Sequence, residues 1–298
     1  MKSGTVELLR DEETTYLYFL KDGRKRRIIA PNAARDVKER FNLLDPRLLT
    51  SEALAKYEPG AVVPRPWAED AWIEPPDSKQ AMREIIVSRL SGTGIEFGAG
   101  SRPMPLPVDV TVEYAEPFQS ESQYARMNYS NNTVVPNDSC PIENQDQIKD
   151  GSLDFIVAAH VIEHTPNPVG AIVECWKKLK SGGQLVLVVP DKRRTFDKTR
   201  EITPLEHLVA DFETPDRERD YMNYLDFFTN AKRSDNPARD AREAHQNGID
   251  IHYHVFTPGS FMRMVHHIKK EYAPYASIEV KPGVSDPKCL EFYLVATK

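Results

Sequence analysis

Two periods of hydrophobic and polar positions alternate along most of this chain. Asp154–Ala158 and Leu185–Val189 are almost continuously apolar, of the length of a buried strand. Gly94–Phe97 and Val110–Tyr114 read as two further strands, the first running into the turn Gly98-Ala99-Gly100. Helical spacing appears at Met82, Ile85, Ile86 and Leu90, which share one face behind a capping box of Asp77 and Gln80. It returns at Val169, Ile172, Val173, Trp176 and Leu179, in a helix begun by Asn167-Pro168 and stopped by Gly182-Gly183. Strands alternating with helices predict an α/β architecture with a parallel sheet covered on both faces.

The alternation breaks after Asp197. Thr203-Pro204-Leu205-Glu206 supplies a capping hydroxyl, a first-turn proline and a reaching glutamate. Leu205, Leu208, Val209 and Phe212 follow at helical spacing, as do Tyr221, Tyr224, Leu225 and Phe228. These helices stand where a direct return to a strand is expected, so residues 200–250 read as an inserted helical cap. Within it, the polar stretch Asn230–Asn247 reads as a mobile connection. An alternating strand Ile251–Phe256 then places His252 and His254 on the face opposite Ile251, Tyr253 and Val255. A helix from Thr257-Pro258 through Ile268 and strands at Ser277–Val280 and Glu291–Thr297 complete the pattern.

Ahead of this domain, residues 1–63 hold two β-rich runs, Thr15–Leu20 and Arg26–Ile29, around the hairpin signal Lys21-Asp22-Gly23. Through "YLYFLKDGRKRRI" and "LTSEALAKYEPGAVV" this module resembles a small hairpin module of bacterial surface and glycan-related proteins, which implies a docking or lid element. Residues 64–76 carry Pro64, Pro66, Pro75 and Pro76 with Trp67 and Trp72, the composition of an extended linker. Its tryptophans either pack on the main domain, 77–298, or stack on a sugar or base.

Composition narrows the class. At 298 residues with 40% hydrophobic and 28% charged positions, the chain has the make-up of a globular protein. A formal charge of -6 argues against a polyanion, and so against nucleic acid, as the main partner. Arg24-Lys25-Arg26-Arg27 is either a local basic patch or a hairpin edge protected by its cations. No signal-peptide pattern and no bilayer-length apolar run is present. Cys140, Cys175 and Cys289 suit neither a disulfide framework nor a metal knuckle, so a cytoplasmic location is expected.

The candidate chemistry collects at strand ends. Glu96-Phe97-Gly98-Ala99-Gly100 lets the backbone approach a ligand at the carboxyl edge of the sheet. Glu116, ending the next strand in "VTVEYAE", is placed to accept hydrogen bonds from both hydroxyls of a ribose. These are followed, in order, by "DFIVAAHVIEHTPNP" (Asp154–Pro168) and "LKSGGQLVLVVPD" (Leu179–Asp191). The set resembles the class I S-adenosylmethionine-dependent methyltransferases, in particular a methyltransferase-11-like bacterial subgroup associated with small molecules and glycans. That subgroup reads E-x-G-x-G-x-R-P early and S-x-D-F, then H-V-x-E-H, later. The resemblance is strong from Ile95 to Asp211 and looser from His252.

It implies a Rossmann-like, seven-stranded, mostly parallel sheet with helices on both faces, and S-adenosyl-L-methionine as cofactor. It also implies that Glu96, Gly98 and Gly100 line the methionine portion, that Glu116 holds the ribose, and that Asp138 or Ser139 lies near the adenine. His160 would sit beside the sulfonium at the end of the fourth strand. Pro103, Pro105 and Pro107 leave no room for a helix between Gly100 and Val110, which removes helix-dipole support for the cofactor. A nicotinamide dehydrogenase would need the G-x-G-x-x-G helix start that this chain lacks.

Methyl transfer to an alcohol needs a positioned nucleophile and benefits from a base. His160 is the first candidate because histidine titrates near neutrality, although it could equally pack beside the cofactor. His207, one helical turn from Asp211 on the cap, and His254 are the other catalytic candidates. His160-Val161-Ile162-Glu163-His164 also resembles the E-x-x-E-H box that holds a divalent ion in some ubiquinone-pathway and small-RNA methyltransferases. Under that reading His160, Glu163 and His164 are ligands, joined by His207, His252 or His254. In metal-free relatives a terminal Glu-His caps the following helix instead, and a metal-free site is the expectation. The cations of Asp191–Asp197 either hold an anionic acceptor or form an ion-paired loop. The expected reaction is O-methylation of a small molecule or a sugar or glycan intermediate, the glycan preference resting on the subgroup alone. The alternatives are N-methylation of an amine or amino sugar, and a non-catalytic S-adenosylmethionine-binding protein.

Overall fold

The computed structural model describes residues 6–11, 17–21, 24–27, 46–59, 78–100, 102–117, 138–284 and 286–298. Asp22, Gly23, the proline-rich linker with Trp67 and Trp72, and Asp77 lie outside these residues. The chain divides into two compact units, Met1–Asp77 and Ser78–Lys298.

The first unit holds β1 (Glu7–Asp11), β2 (Leu17–Lys21), β3 (Arg24–Arg27), β4 (Arg47–Leu49), the short α1 (Ser51–Leu54) and β5 (Glu58–Pro59). Its sheet has the order β4-β1-β2-β3-β5. The predicted hairpin is present as antiparallel β2 and β3 with Lys21 opposite Arg24. The basic run is not a free edge, however, because Arg24 and Lys25 also pair with Glu58 and Pro59 of β5. The Lys25 ammonium donates to the Leu54 carbonyl at 2.6 Å, at the end of α1.

The second unit is built on β6 (Thr93–Phe97), β7 (Thr111–Glu116), β8 (Asp138–Ser139), β9 (Leu153–Ala159), β10 (Leu179–Pro190), β11 (Ser277–Lys281) and β12 (Glu291–Thr297). They form one seven-stranded sheet in the order β11-β12-β10-β9-β6-β7-β8. Neighbours from β10 to β8 run parallel, and β12 is antiparallel to both β10 and β11. Period-two alternation splits the strand residues cleanly between two cores. Ile156, Ala158, Leu185, Leu187 and Val189 face a core shared with α3 (Pro168–Lys178) and α7 (Pro258–Glu271). Phe155, Val157, Val186 and Val188 face the other, shared with α2 (Lys79–Val87). The covered parallel sheet expected from the sequence is therefore present. Among the described residues no helix is long and apolar enough to cross a membrane.

Several local expectations are corrected. The cap of α2 is Ser78, whose hydroxyl accepts from the Ala81 N–H, so the helix starts one residue later than the Asp77–Gln80 box implies. On that helix Met82 and Ile86 are buried but Ile85 is 44% exposed, while Arg83 is buried. Leu179 does not close α3 but opens β10, and Gly182, at φ +79°, lies at a register shift within that strand.

The cap comprises α4 (Leu205–Glu213), α5 (Arg217–Asp226), a π turn (Phe227–Ala231) and α6 (Pro237–Gln246). Pro204 occupies the cap position of α4, whereas the Thr203 hydroxyl accepts from the Val255 N–H. The stretch expected to be mobile carries α6, because Asn236 caps it, Pro237 starts it, and Ala241 and Ala244 pack on Tyr224 and Phe227. Ile251–Phe256 is not a strand; only Phe256 bridges, to Asp191. Its backbone is satisfied otherwise: Tyr253 N–H donates to the Glu163 carbonyl, and the His252 and Tyr253 carbonyls accept from Arg200.

Candidate functional site

Two groups of carboxylates stand at the carboxyl edge of the second sheet. The first follows β6. Gly98 and Gly100 have φ +69° and +48°, and a Cβ on Gly98 would stand 2.3 Å from Val161 Cγ2, so the turn requires glycine on both counts. Glu96 is fully buried; its Oε1 accepts from the Met104 N–H at 2.8 Å and its Oε2 has no partner. Burial raises its pKa to about 8. The proline-rich segment after Gly100 is indeed not helical, and it earns its place by presenting that Met104 N–H. Glu116, at the end of β7, is also buried and shifted upward by burial. Its Oε1 accepts from the Gly100 N–H at 3.1 Å, which joins the glycine turn to the neighbouring strand. Asp138 and Ser139 form β8, paired in parallel with Ala115 and Glu116, so all these positions share one edge.

The second group surrounds the end of β9. His160 has φ +56°, a left-handed backbone costing a residue with a Cβ about 1–2 kcal/mol. Its Nε2 lies 2.9 Å from Glu291 Oε2. Glu291 also receives two 2.8 Å hydrogen bonds from Arg83 and one of 3.0 Å from the Tyr293 hydroxyl. Burial opposes the Glu291 charge, yet His160 and Arg83 hold it at about 2. Burial likewise opposes an imidazolium at His160, and the carboxylates of Glu163 and Glu291 outweigh it, lifting His160 to about 9. Sequence reasoning missed Arg83 and Glu291. They are 208 positions apart, and the one signal is Glu291 as the single charge of the otherwise apolar run Glu291–Thr297.

Glu163, in the 3-10 turn Ile162–His164, is fully buried and neither carboxylate oxygen has a hydrogen-bond partner. His160 Nδ1 faces its Oε1 at 3.4 Å and His164 Nε2 at 3.9 Å. A ring nitrogen of His252 falls within 4.8 Å of the donor atoms of Glu163 and His164. Each of these imidazoles is anchored on its other nitrogen by a carboxylate. His164 Nδ1 lies 2.8 Å from Asp250, and His252 Nδ1 lies 2.7 Å from Asp197. Such outer carboxylates fix ring orientation and tautomer around a metal, so the donor set fits a divalent cation. Of the three further ligands considered from sequence, the structure brings His252 here.

Asp197 is held in turn by Arg200, a fully buried guanidinium that also binds Asp226 of α5 at 2.7 Å. His207 and His254 go elsewhere. His254 is fully buried, donates to the Pro166 carbonyl at 3.1 Å and is pushed down to about 4 by burial, so it is not placed to meet an acceptor. His207 is one-quarter exposed beside Asp211, in a separate cluster with His254. The two histidines expected to share a strand face, His252 and His254, thus diverge, because the segment carrying them is not a strand. In the Asp191–Asp197 loop, Arg193 pairs with Asp191 and Arg194 donates to the Val284 and Cys289 carbonyls, the ion-paired arrangement.

Residues 94–187 match the family model described as a methyltransferase domain. No curated protein matches the chain. Similar solved structures include an S-adenosylmethionine-dependent methyltransferase from Thermotoga maritima, described as a possible histamine N-methyltransferase. It is 17% identical, with 74% of this chain and 88% of that chain covered at a TM-score of 0.41. A methyltransferase from Aquifex aeolicus is 13% identical, with 74% and 93% covered and a TM-score of 0.36. The CurJ carbon methyltransferase is 15% identical, with 74% and 55% covered and a TM-score of 0.41.

Proposed function

We propose that the chain, whose residues 94–187 match a methyltransferase domain, transfers a methyl group from S-adenosylmethionine to a hydroxyl of a small molecule or of a sugar or glycan intermediate. The unpartnered, buried Glu96 Oε2 suits the cationic α-amino group of the cofactor's methionine. Gly98 and Gly100 allow the methionine to approach the backbone. Glu116, with Oε1 on the Gly100 N–H, keeps its other oxygen for the ribose hydroxyls. Asp138 or Ser139, next along the edge, would meet the adenine.

The observation that carries the hydroxyl reading is the Glu291–His160 pair. Glu291 fixes His160 through Nε2–H, and Nδ1, 3.4 Å from Glu163 Oε1, is the atom to take the acceptor's proton. Arg83 acts through Glu291 and is a positioning residue. A base held near 9 is mostly protonated at neutrality, so kcat/KM for a hydroxyl acceptor should rise with pH up to about 9. A flat profile, or one unchanged in His160→Ala, would remove His160 from this role.

The acceptor test uses deuterated-methyl cofactor with matched hydroxyl and amine acceptors, read by product mass spectrometry. Label on oxygen is expected. Label on nitrogen alone would make the enzyme an N-methyltransferase, and cofactor binding without turnover on any acceptor would make it a non-catalytic binder. A second reading rests on the unpartnered Glu163 carboxylate among three anchored histidines. A divalent ion held by Glu163, His164 and His252 would polarise an acceptor hydroxyl. Loss of turnover on chelation, restored by added metal, would support it. Residues 1–63 are proposed as a docking or lid module, 64–76 as linker, and the cap as the part that selects the acceptor.

A further inference from the structure

A second cluster lies outside the machinery just described and has no part in the cofactor or acceptor reading. His207 and Asp211 project one turn apart from α4, and His254 reaches them from the segment before α7. One donor atom from each of the three lies within 4.8 Å of the others. Asp211 is 4% exposed and His254 fully buried. Two of these donor atoms, His207 Nε2 and Asp211 Oδ2, are also buried without an aligned hydrogen bond. Buried polar atoms left unsatisfied are unfavourable, and a single cation would relieve both together.

We propose that His207, Asp211 and His254 form a binding site for a divalent transition-metal cation of the zinc type, separate from the Glu163 cluster. Tetrahedral coordination with metal–ligand bonds near 2.0–2.1 Å sets ligand atoms about 3.3 Å apart. Asp211 Oδ2 lies 3.2 Å from His207 Nε2 and 3.6 Å from His254 Nε2, on either side of that spacing. Two imidazoles and one carboxylate suit zinc and its neighbours rather than magnesium or calcium. Arg219 holds the other Asp211 oxygen at 3.2 Å and orients the carboxylate. His254 Nε2 lies 3.1 Å from the Pro166 carbonyl, and on taking up the ion it would give up that hydrogen bond, the ring proton moving to Nδ1. An ion here joins the cap helix α4 to the segment that carries His254.

The test is equilibrium dialysis of the chelator-stripped full chain against Zn²⁺, reading bound equivalents in wild type, His207→Ala, Asp211→Asn and His164→Ala. Circular dichroism confirms that each variant is folded. Wild type is expected to take up an equivalent that His207→Ala and Asp211→Asn each bind at least about tenfold more weakly, while His164→Ala retains it. Co²⁺ in its place should give a tetrahedral absorption band that is lost in His207→Ala. No Zn²⁺ uptake by wild type, or uptake unchanged in both His207→Ala and Asp211→Asn, would overturn the proposal. The Glu163 reading fails by a different result, an equivalent count unaffected by His164→Ala, so the two sites are judged separately.

Discussion

The two groups of carboxylates at the sheet's carboxyl edge are both buried, and their pKa values are shifted in opposite directions. Beside β6 and β7, Glu96 and Glu116 meet backbone N–H groups, and burial drives both pKa values up. Beside β9 and β12, Glu291, Glu163 and Asp197 lie among Arg83, Arg200 and histidines, and all three are held down against their burial. A carboxylate left short of partners is suited to receive a ligand's hydroxyls or ammonium. One already compensated by fixed cations is suited to orient a side chain. The cofactor reading belongs to the first group and the acceptor reading to the second.

The largest effect is expected from breaking the compensated side. Arg83→Ala strands the buried Glu291 carboxylate and should cost about 3–5 kcal/mol in denaturant unfolding; a loss below 1 kcal/mol would mean Glu291 is wetter than its burial indicates. On the other side, Gly98→Ala imposes a strained φ and a clash with Val161, at a cost of about 1–3 kcal/mol. It should weaken cofactor binding, whereas Arg83→Ala should leave whatever folded protein remains able to bind.

The pH dependence of stability separates the sides by sign. Between about 4.5 and 8 native Glu96 keeps a proton that the unfolded chain releases, so its contribution falls as pH rises through that window. Glu96→Gln should flatten this slope. Glu291 does the reverse: its contribution is present above 4.5 and lost as pH falls toward about 2. His160, raised from 6.5 to about 9, contributes fully below 6.5 and loses that contribution as pH climbs through 9. Unfolding free energies across this pH range for wild type and Glu96→Gln would expose the signs. The smallest effect belongs to Ile85→Ala, within about 0.5 kcal/mol of wild type because the side chain is exposed, against a cost of about 2–5 kcal/mol for Ile86→Ala.

Ile85 also shows where the sequence was readable and where it was not. Periodicity located β6, β7, β9, β10 and the helix α7, because each buries a regular face against the sheet. It put Ile85 on the buried face and passed over Arg83, since an apolar count cannot know that Glu291 waits across the core. The first group was the easier to find because its residues are close in sequence: Glu96, Gly98 and Gly100 fall in one turn, with Glu116 at the next strand end. The second group is assembled from α2, β9, the loop at Asp197, the segment at His252 and the start of β12. Its partners are chosen by tertiary contact. The supposed strand Ile251–Phe256 failed for the same reason, since Glu163 and Arg200, not a neighbouring strand, satisfy its backbone.

The pairing of Glu116 with the cofactor ribose is the most direct point of attack on the whole account. Glutamine at that position can still accept from the Gly100 N–H, so Glu116→Gln should fold normally while losing the charged acceptor. Calorimetric titration with S-adenosylhomocysteine should give one site in wild type and an affinity about 10–100-fold weaker in Glu116→Gln, the loss of a charge-assisted hydrogen bond of about 1.5–3 kcal/mol. Equal affinity in the two proteins, or no binding to wild type, would contradict the account.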